Sequence, residues 1–273
     1  MYLRWLRVAE GQWTYASSVH INCARPNDAA RVSVSAQIEC FAPITMHRSI
    51  SIVEYKVHQA DFFLCQLRDA GNDLFAAQCF TDAFVSSART ITLAMQAVIG
   101  KVDGFGEWYV ARQEALKLNR LARFFVEYRN VSTKIGDTVV RGGESRTGRN
   151  GERIICHYFL PIQDLTFVPD EDVATACAQH FETLLGVVFD AMAEFKYALD
   201  DRWYFTQENF QRMGKTFEDA LSEHGFPVGW ADTAGTLDET TRWRVLRRTQ
   251  TVGCQINEQF MEYLGRTIPG PDE

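Results

Sequence analysis

Two long runs of helical periodicity between Asp73 and Lys134 constrain the fold of this chain more than any other feature. In the first run, apolar side chains recur every three or four residues and so share one helix face; they are Phe80, Phe84, Ala88, Ile91, Met95 and Val98. This wide stripe is typical of a central helix. The second run carries Trp108, Ala111, Ala115, Leu118, Ala122 and Phe125. We therefore predict two long helices, the first ending near Gly100 and the second near Arg129.

Two further helices complete the predicted bundle. One begins at Ser51, where Glu54 three residues later indicates a capping box. The other follows Asp170, runs to Leu199 and carries His180 beside its apolar stripe, where we interpret the histidine as a core residue. Because four long helices with short connections are typical of an up-and-down bundle, we predict one over residues 49–200.

Strand patterns occur on both sides of the third helix of this bundle. Arg31 to Cys40 alternates strictly between apolar and polar residues, and Gln12 to Asn22 is a weaker strand that could pair with it. These predict a small N-terminal β element in residues 1–48. Thr138 to Val140 and Arg153 to Leu160 flank an Asn-Gly turn, which predicts a β-hairpin between helices three and four.

The predicted fold class is therefore mainly α: an up-and-down helical bundle with the N-terminal β element, the hairpin and a C-terminal helical extension over residues 201–273. The 273 residues contain 46% hydrophobic side chains, enough for a substantial core. The last residues, from Pro269 to Glu273, are expected to fray.

Composition narrows the classes of function. The net charge of −7 argues against a broad nucleic-acid-binding surface but leaves room for a local basic pocket. Seven cysteines without a Cys-x-x-Cys pair indicate reduced thiols rather than a disulfide framework or zinc ribbon. The sequence lacks a secretory signal and a membrane-spanning run of about 18 apolar residues, so a soluble, cytoplasmic protein is expected. Metal-ligand spacings and phosphate-binding glycine loops are also absent, and we predict neither a metal nor a cofactor.

The end of the third predicted helix carries the main functional signal. Its stripe continues from Phe125 to Arg129, so a guanidinium occupies a position where an apolar residue is expected. A buried, unpaired guanidinium is very costly, because arginine keeps its charge. Arg129 therefore needs a carboxylate, a set of carbonyl groups, a phosphate ligand or a second subunit, and Asp82 or Glu114 could supply the carboxylate.

Arg129-Asn130, with a basic residue five positions after the arginine, at the end of a long antiparallel helix, resembles the HEPN superfamily of helical bundles. The resemblance covers residues 49–200. Many members are metal-independent ribonucleases with an Arg-polar pair followed by a spacer and a His. Arg129 and Asn130 correspond to that pair, whereas Lys134 stands at the histidine position. The resemblance implies a homodimer, RNA as a ligand, and a defence or toxin–antitoxin (phage-defence) setting with a protein partner such as an antitoxin.

The resulting hypothesis is RNA cleavage without metal at Arg129, Asn130 and Lys134. In this reaction the ribose 2′-hydroxyl attacks the adjacent phosphate, which requires a base, an acid and cationic donors. Arg129 suits the cationic role, and Asn130 could orient the phosphate. A lysine acts as a base near neutral pH only if burial lowers its pKa by about three units, or roughly 4 kcal/mol. Without that burial Lys134 would be a phosphate clamp.

Two basic clusters could assist RNA binding. Arg141, Arg146, Arg149 and Arg153 surround the predicted hairpin turn and could follow phosphates, although a solvated hairpin tip gives the same pattern. Around Trp243, the residues Arg242, Arg244, Arg247 and Arg248 could bind nucleic acid or an acidic partner, or form an exposed helix surface. The alternative to an RNA-binding enzyme is a non-catalytic helical protein that dimerises or binds a partner. In that interpretation Arg129 is a structural cation at a helix C-terminus.

Overall fold

A computed structural model describes residues 6–8, 12–14, 50–135, 138–147, 151, 153–162, 165, 167–227, 229, 237–250 and 253–272 of this chain. The chain divides into two compact units, Met1–Ile44 and Thr45–Glu273. In the first unit, β1 (Leu6–Val8) and β2 (Gln12–Thr14) form an antiparallel pair with Arg7 opposite Trp13. The predicted strand from Arg31 to Cys40 lies outside the described residues.

The prediction of a mainly helical fold is confirmed in the second unit. Its long helices are α1 (Ser51–Asp69), α2 (Leu74–Ile99), α3 (Phe105–Leu118), α4 (Arg120–Ile135) and α5 (Val173–Glu194). Shorter helices follow, namely α6 (Lys196–Leu199), α7 (Asp201–Tyr204), α8 (Gln207–Arg212), α9 (Phe217–Glu223), α10 (Glu239–Gln250) and α11 (Asn257–Leu264).

The second helix, α2, is central to the bundle, as its wide apolar stripe predicts. It packs against α1, α4 and α5 and against the hairpin. Phe84, Ile91 and Met95 on its stripe are fully buried. Each such side chain contributes about 1.5–3 kcal/mol through removal of apolar surface from water. The N-cap Asp73 accepts a hydrogen bond from the backbone N–H of Ala76 (3.0 Å), which begins the helix as the sequence indicates.

The predicted capping box at the start of α1 is wrong. Ile50 occupies the N-cap position, and no side chain caps this end of the helix. Glu54 is instead buried, and its Oε1 accepts a hydrogen bond from the backbone N–H of Gln255 (2.8 Å). This long-range bond ties the C-terminal segment to the bundle, a role that local sequence spacing cannot reveal.

The predicted third helix is two helices, and their boundary is Asn119. This residue has an extended backbone (φ −72°, ψ 115°), and its Oδ1 accepts a hydrogen bond from the backbone N–H of Ala122 (2.9 Å). Asn119 is therefore the N-cap of α4, since Asn in this position satisfies an otherwise unpaired N–H. The break lets the two helices face the core with different sides.

A β-hairpin connects α4 to α5. It is the hairpin predicted between the third and fourth helices, because the predicted third helix is divided into α3 and α4 at Asn119. Its strands are β3 (Val140–Thr147) and β4 (Arg153–Phe159), which pair antiparallel with an irregularity between Val140 and Gly142. The base of the hairpin is held by a hydrogen bond from Gln78 Nε2 on α2 to the carbonyl of Val140 (2.8 Å).

Residues 201–273, predicted as a helical extension, contribute to two cores. Phe205, Phe210, Leu221, Trp243 and Leu246 form a small separate cluster. Ile256, Phe260 and Ile268 instead belong to the main bundle core. The last helix therefore completes the bundle, whereas α8 to α10 pack around a core of their own.

Candidate functional site

A cavity of about 500 Å³ opens between α2, α3, α4 and α5. Its apolar wall includes Val85 and Ala88 of α2, Leu116 of α3, Phe125 of α4 and Leu184 of α5. The volume lies within the range of about 300–1,000 Å³ that is usual for small-molecule sites. Small side chains contribute to the space, because Ala88 and Ala122 both line it at positions where larger residues would close it.

The rim of the cavity is basic. Arg89 of α2 and Arg123 of α4 line it and are exposed, and neither has a carboxylate partner among the described residues. Lys117 also lines the rim, but its Nζ is paired with Glu114 Oε1 (2.6 Å). Glu127 is the acidic residue of the lining. Because Lys117 is already paired, Arg89 and Arg123 against Glu127 leave a local excess of one positive charge in a chain whose net charge is −7.

His180 of α5 lines the same cavity and belongs to the core, as expected from the sequence. Its ring stacks on Phe125 with 4.5 Å between centroids and is only 7% exposed. Burial lowers the pKa of His180 to about 3, so the imidazole is neutral at neutral pH. Its Nδ1 has no hydrogen-bond partner in the described part of the chain. A buried polar atom left without a partner costs about 1–3 kcal/mol.

A second depression lies between α3 and α5 and shares Leu116 with the cavity. This groove has a volume of about 450 Å³ and includes Ala111 and Ala115 of α3 with Gly186 and Val187 of α5. Leu118 follows at the end of α3 and is 84% exposed. The predicted apolar stripe of α3 faces the core only in part, because Trp108 packs against the core whereas Ala111, Ala115 and Leu118 lie at the surface. The buried residues of α3 are Phe105 and Tyr109, which do not belong to that stripe.

The three predicted catalytic residues all lie on α4. Arg129 is half-buried, whereas Asn130 and Lys134 are exposed. Asn130 and Lys134 share a helix face four residues apart, but Arg129 is about 140° around the helix from Lys134. None of the three lines the cavity or the groove. Moreover, an exposed Lys134 lacks the burial that the role of a base requires.

The predicted inward position of Arg129 belongs to its neighbour Tyr128. Tyr128 is fully buried, and its Oη donates a hydrogen bond to Asp82 Oδ1 (2.5 Å). Burial, followed by this hydrogen bond, raises the pKa of Tyr128. Asp82 and Glu114, the carboxylates considered as partners of Arg129, thus bond to Tyr128 and Lys117 respectively. Among the described residues Arg129 has no ion-pair or side-chain hydrogen-bond partner.

The predicted RNA-binding arginines are divided between the two faces of the hairpin. Arg146 bonds to Tyr158 and, at 3.5 Å, to Glu144. Arg153 Nε donates a hydrogen bond to Ser145 Oγ (2.7 Å). Arg153 is paired across the hairpin with Thr147, so the two share a face, whereas Arg146 precedes Thr147 on its strand and therefore points to the opposite face. Arg141 is exposed and donates to the carbonyl of Thr138 (3.0 Å). Arg149 lies outside the described residues.

Metal ligands, membrane-spanning helices and cysteines limit the kind of site that the described residues can form. These residues contain no group of three or more His, Cys, Asp or Glu side chains that could hold a metal ion. No described helix is both long enough and apolar enough to cross a membrane. Among the cysteines that the structure describes, Cys65, Cys79, Cys156, Cys177 and Cys254 are free thiols.

The described second unit is thus a helical bundle with a lateral cavity and a basic rim. Residues 65–142 match the family model described as bacteriophage lambda protein ea47. This segment of 78 of the 273 residues (65 to 142 inclusive) includes α2, α3 and α4, three of the four helices around the cavity. No curated protein and no solved structure matches the chain.

Sequence reasoning did not find the cavity, and it passed over Arg89 and Arg123. A faint signal existed in Ala88 and Ala122, because small residues at core positions of two neighbouring helices leave space between them. Whether Ala88 of α2 faces Ala122 of α4 depends on how α4 is rotated about its own axis. The break at Asn119 determines that rotation.

Proposed function

We propose that this chain is a non-catalytic helical interaction protein that pairs with a second copy of itself through the α3–α5 groove. The observation that carries the proposal is Leu118, which is 84% exposed at the end of α3, on the same side of the helix as the exposed Ala111 and Ala115. Apolar surface that a fold leaves exposed beside a groove can mark a protein interaction site. The proposal takes up the partner-binding alternative that the sequence already allowed.

The shape of this surface supports a second copy as the partner. Leu118 protrudes, whereas Ala111, Ala115 and Gly186 leave a hollow a short distance away on the same face. A two-fold interface brings the same patch of both subunits together, so it requires a surface that is complementary to itself. A protrusion beside a hollow meets that requirement, because Leu118 of each copy can enter the groove of the other.

The test is the mass in solution of the wild-type chain and of Leu118→Glu, measured by light scattering after size exclusion. The wild type is expected at about twice 31.1 kDa, and Leu118→Glu as a monomer, because the substitution replaces the protruding apolar side chain with a charged one that is costly to remove from water.

Leu93→Glu is the matched control. Leu93 is also exposed, at 47%, but it lies on α2 and does not line the groove, so this variant should remain a dimer. The proposal would be rejected if the wild type stayed a monomer at all concentrations up to about 100 μM. A dimer that does not form by then has a dissociation constant weaker than is usual for specific association. It would also be rejected if the Leu118→Glu variant still dimerised.

RNA binding with metal-independent cleavage remains a second candidate, and one observation favours it. Arg129 is half-buried without an anionic partner in the part of the chain that the structure describes. A guanidinium in this state is suited to a phosphate ligand, which it binds through two parallel hydrogen bonds. Against cleavage, the exposed Lys134 lies on a different side of α4.

Incubation of the purified protein with total RNA tests this candidate. If the site cleaves RNA, Arg129→Ala should abolish the products, whereas Arg68→Ala, an exposed arginine on α1, should leave them unchanged. Lys134→His should then increase the rate, because a histidine titrates near neutral pH. Cleavage that survives Arg129→Ala removes this residue from the mechanism, and absence of cleavage favours the interaction protein.

The biological setting follows from the two resemblances. The HEPN-like motif supports a defence or toxin–antitoxin system, in which the partner could also be an antitoxin. The match of residues 65–142 to a model named after a bacteriophage lambda protein supports a connection with phage.

A further inference from the structure

We propose that the cavity between α2, α3, α4 and α5 is a binding site for a small organic anion that has an apolar, planar body and one anionic group. This inference does not rest on the proposed dimer, because the cavity and the α3–α5 groove share only Leu116 among their lining residues. It is also separate from the Arg129 motif, none of whose residues lines the cavity.

The anionic group is assigned from the charges of the rim. Arg89 and Arg123 stand on neighbouring helices at the same opening, and neither has a carboxylate partner in the described part of the chain. The contact of Arg89 Nη1 with Thr92 Oγ1 is long, at 3.4 Å. Two guanidiniums at one opening can hold a carboxylate or a phosphate by charge-assisted hydrogen bonds. Glu127 on the same rim disfavours a second negative charge in the ligand.

The apolar body is assigned from the wall. Phe125 and the imidazole of His180 form a stacked pair with an interplanar angle of 17°. Leu116 and Leu184 also line the space. A planar ring would find apolar contacts here, as is usual for ligand sites with a few polar groups at their edge.

His180 contributes a neutral ring to the wall of the cavity. The residue is only 7% exposed and lines the cavity beside Phe125, while its Nδ1 is itself buried and has no hydrogen bond to any described residue. The ring is neutral at neutral pH because burial lowers its pKa to about 3, so this part of the wall carries no charge and suits an apolar body.

The test uses two fluorescent probes with the same apolar skeleton. Anilinonaphthalene sulfonate carries an anionic group, and phenylnaphthylamine lacks it. We expect the sulfonate to bind at one saturable site per chain and more tightly than the neutral probe. Arg89→Gln combined with Arg123→Gln should weaken the sulfonate about tenfold or more and leave the neutral probe unchanged, because each charge-assisted bond is worth about a factor of ten.

The control variant removes the same two charges elsewhere. Arg68→Gln combined with Arg266→Gln changes exposed arginines that do not line the cavity, so sulfonate binding should stay as in the wild type. Ala122→Phe fills the cavity and should abolish binding of both probes, with circular dichroism and urea unfolding to verify that the variant is folded. The assignment of an anion would be overturned if the two probes bound with equal affinity. It would also be overturned if the control double variant lost as much sulfonate affinity as the variant of Arg89 and Arg123. Unchanged binding in folded Ala122→Phe would overturn the assignment of the cavity.

Competition distinguishes the chemistry of the anionic group. Naphthoate and naphthyl phosphate carry a carboxylate and a phosphate on the same ring system, and the stronger competitor identifies the group that the rim accepts. Inorganic phosphate alone should displace the sulfonate poorly, since it lacks the apolar body. Displacement by inorganic phosphate as efficient as by naphthyl phosphate would contradict an amphipathic ligand.

Discussion

His180 shows how one buried residue makes the whole fold sensitive to pH. Its pKa is lowered from an ordinary value of 6.5 to about 3 because the ring is buried. Below pH 6.5 the unfolded chain therefore binds a proton that the folded chain excludes, and the free energy of unfolding falls as the pH is lowered towards 3. Above pH 6.5 the imidazole is neutral in both states and the effect vanishes.

We predict that this group alone lowers the free energy of unfolding by about 2 kcal/mol between pH 7 and pH 5, at about 1.4 kcal/mol per pH unit below the ordinary pKa. Urea unfolding at the two pH values measures the difference. His180→Phe keeps an aromatic ring beside Phe125 but cannot titrate, so its stability should depend less on pH by this amount. An identical pH dependence in the two proteins would show that His180 is not buried as a neutral ring.

The apolar spacing predicted an inward position for Arg129, and the structure gives that position to Tyr128. Tyr128 follows Phe125 by three residues and Arg129 follows it by four, so both are compatible with the same stripe. The structure buries Tyr128, whose hydroxyl bonds to Asp82. A phenol with one hydrogen bond is far cheaper to bury than a guanidinium, and this difference decides between the two positions.

At the scale of elements, Asn119 separates two helices that the apolar pattern joins. As the N-cap of α4 it satisfies the backbone N–H of Ala122. It also allows α3 to turn the face with Phe105 and Tyr109 inward, which leaves Ala111, Ala115 and Leu118 on the surface. One capping residue thus determines which face of a neighbouring helix becomes available to a partner.

We predict that Asn119→Ala lowers the free energy of unfolding by about 1 kcal/mol, the usual cost of losing an N-cap. Urea unfolding at neutral pH measures this cost. Asn119→Ser is the control, because serine caps helices about as well as asparagine and should be close to neutral. Equal stability of the alanine and serine variants would mean that the side chain of Asn119 does not cap α4.

At the scale of the whole molecule, the chain end is part of the fold. The prediction that residues after Pro269 fray is wrong, because Asp272 Oδ1 accepts a hydrogen bond from Arg247 Nη2 (2.6 Å), and Trp203 Nε1 donates to the carbonyl of Pro269 (3.1 Å). Arg247, from the basic cluster of α10, is buried and not a surface cation. The hydrogen bonds from Arg247 lower the pKa of Asp272.

We predict that Asp272→Asn lowers the free energy of unfolding by about 1–3 kcal/mol, because it removes the negative charge from a carboxylate that accepts two hydrogen bonds from the buried guanidinium of Arg247. The loss should be smaller at low pH, where the carboxyl of the wild type is itself protonated. Arg244→Gln is the control: Arg244 is half-exposed and 3.8 Å from the same carboxylate, a geometry worth at most about 1 kcal/mol. Thermal or urea unfolding of the wild type and the two variants measures these losses of stability. A larger loss for Arg244→Gln than for Asp272→Asn would show that Arg244, and not Arg247, is the main partner of Asp272.

The sequence by itself determined where α1 and α2 lie, where α5 begins and which faces these helices bury, because a wide apolar stripe at a period of 3.6 residues has one favourable orientation. The predicted end of α5 at Leu199 is wrong, since α5 ends at Glu194 and the separate helix α6 follows. The sequence also located the hairpin, whose turn signal is local. Only the tertiary structure decided the rotation of α3, the burial of Tyr128 in place of Arg129, and the cavity with Arg89, Arg123 and His180. These features depend on volumes and hydrogen bonds between residues far apart in the chain, and a periodic pattern carries no information about which distant side chain will fill, or leave open, the space opposite.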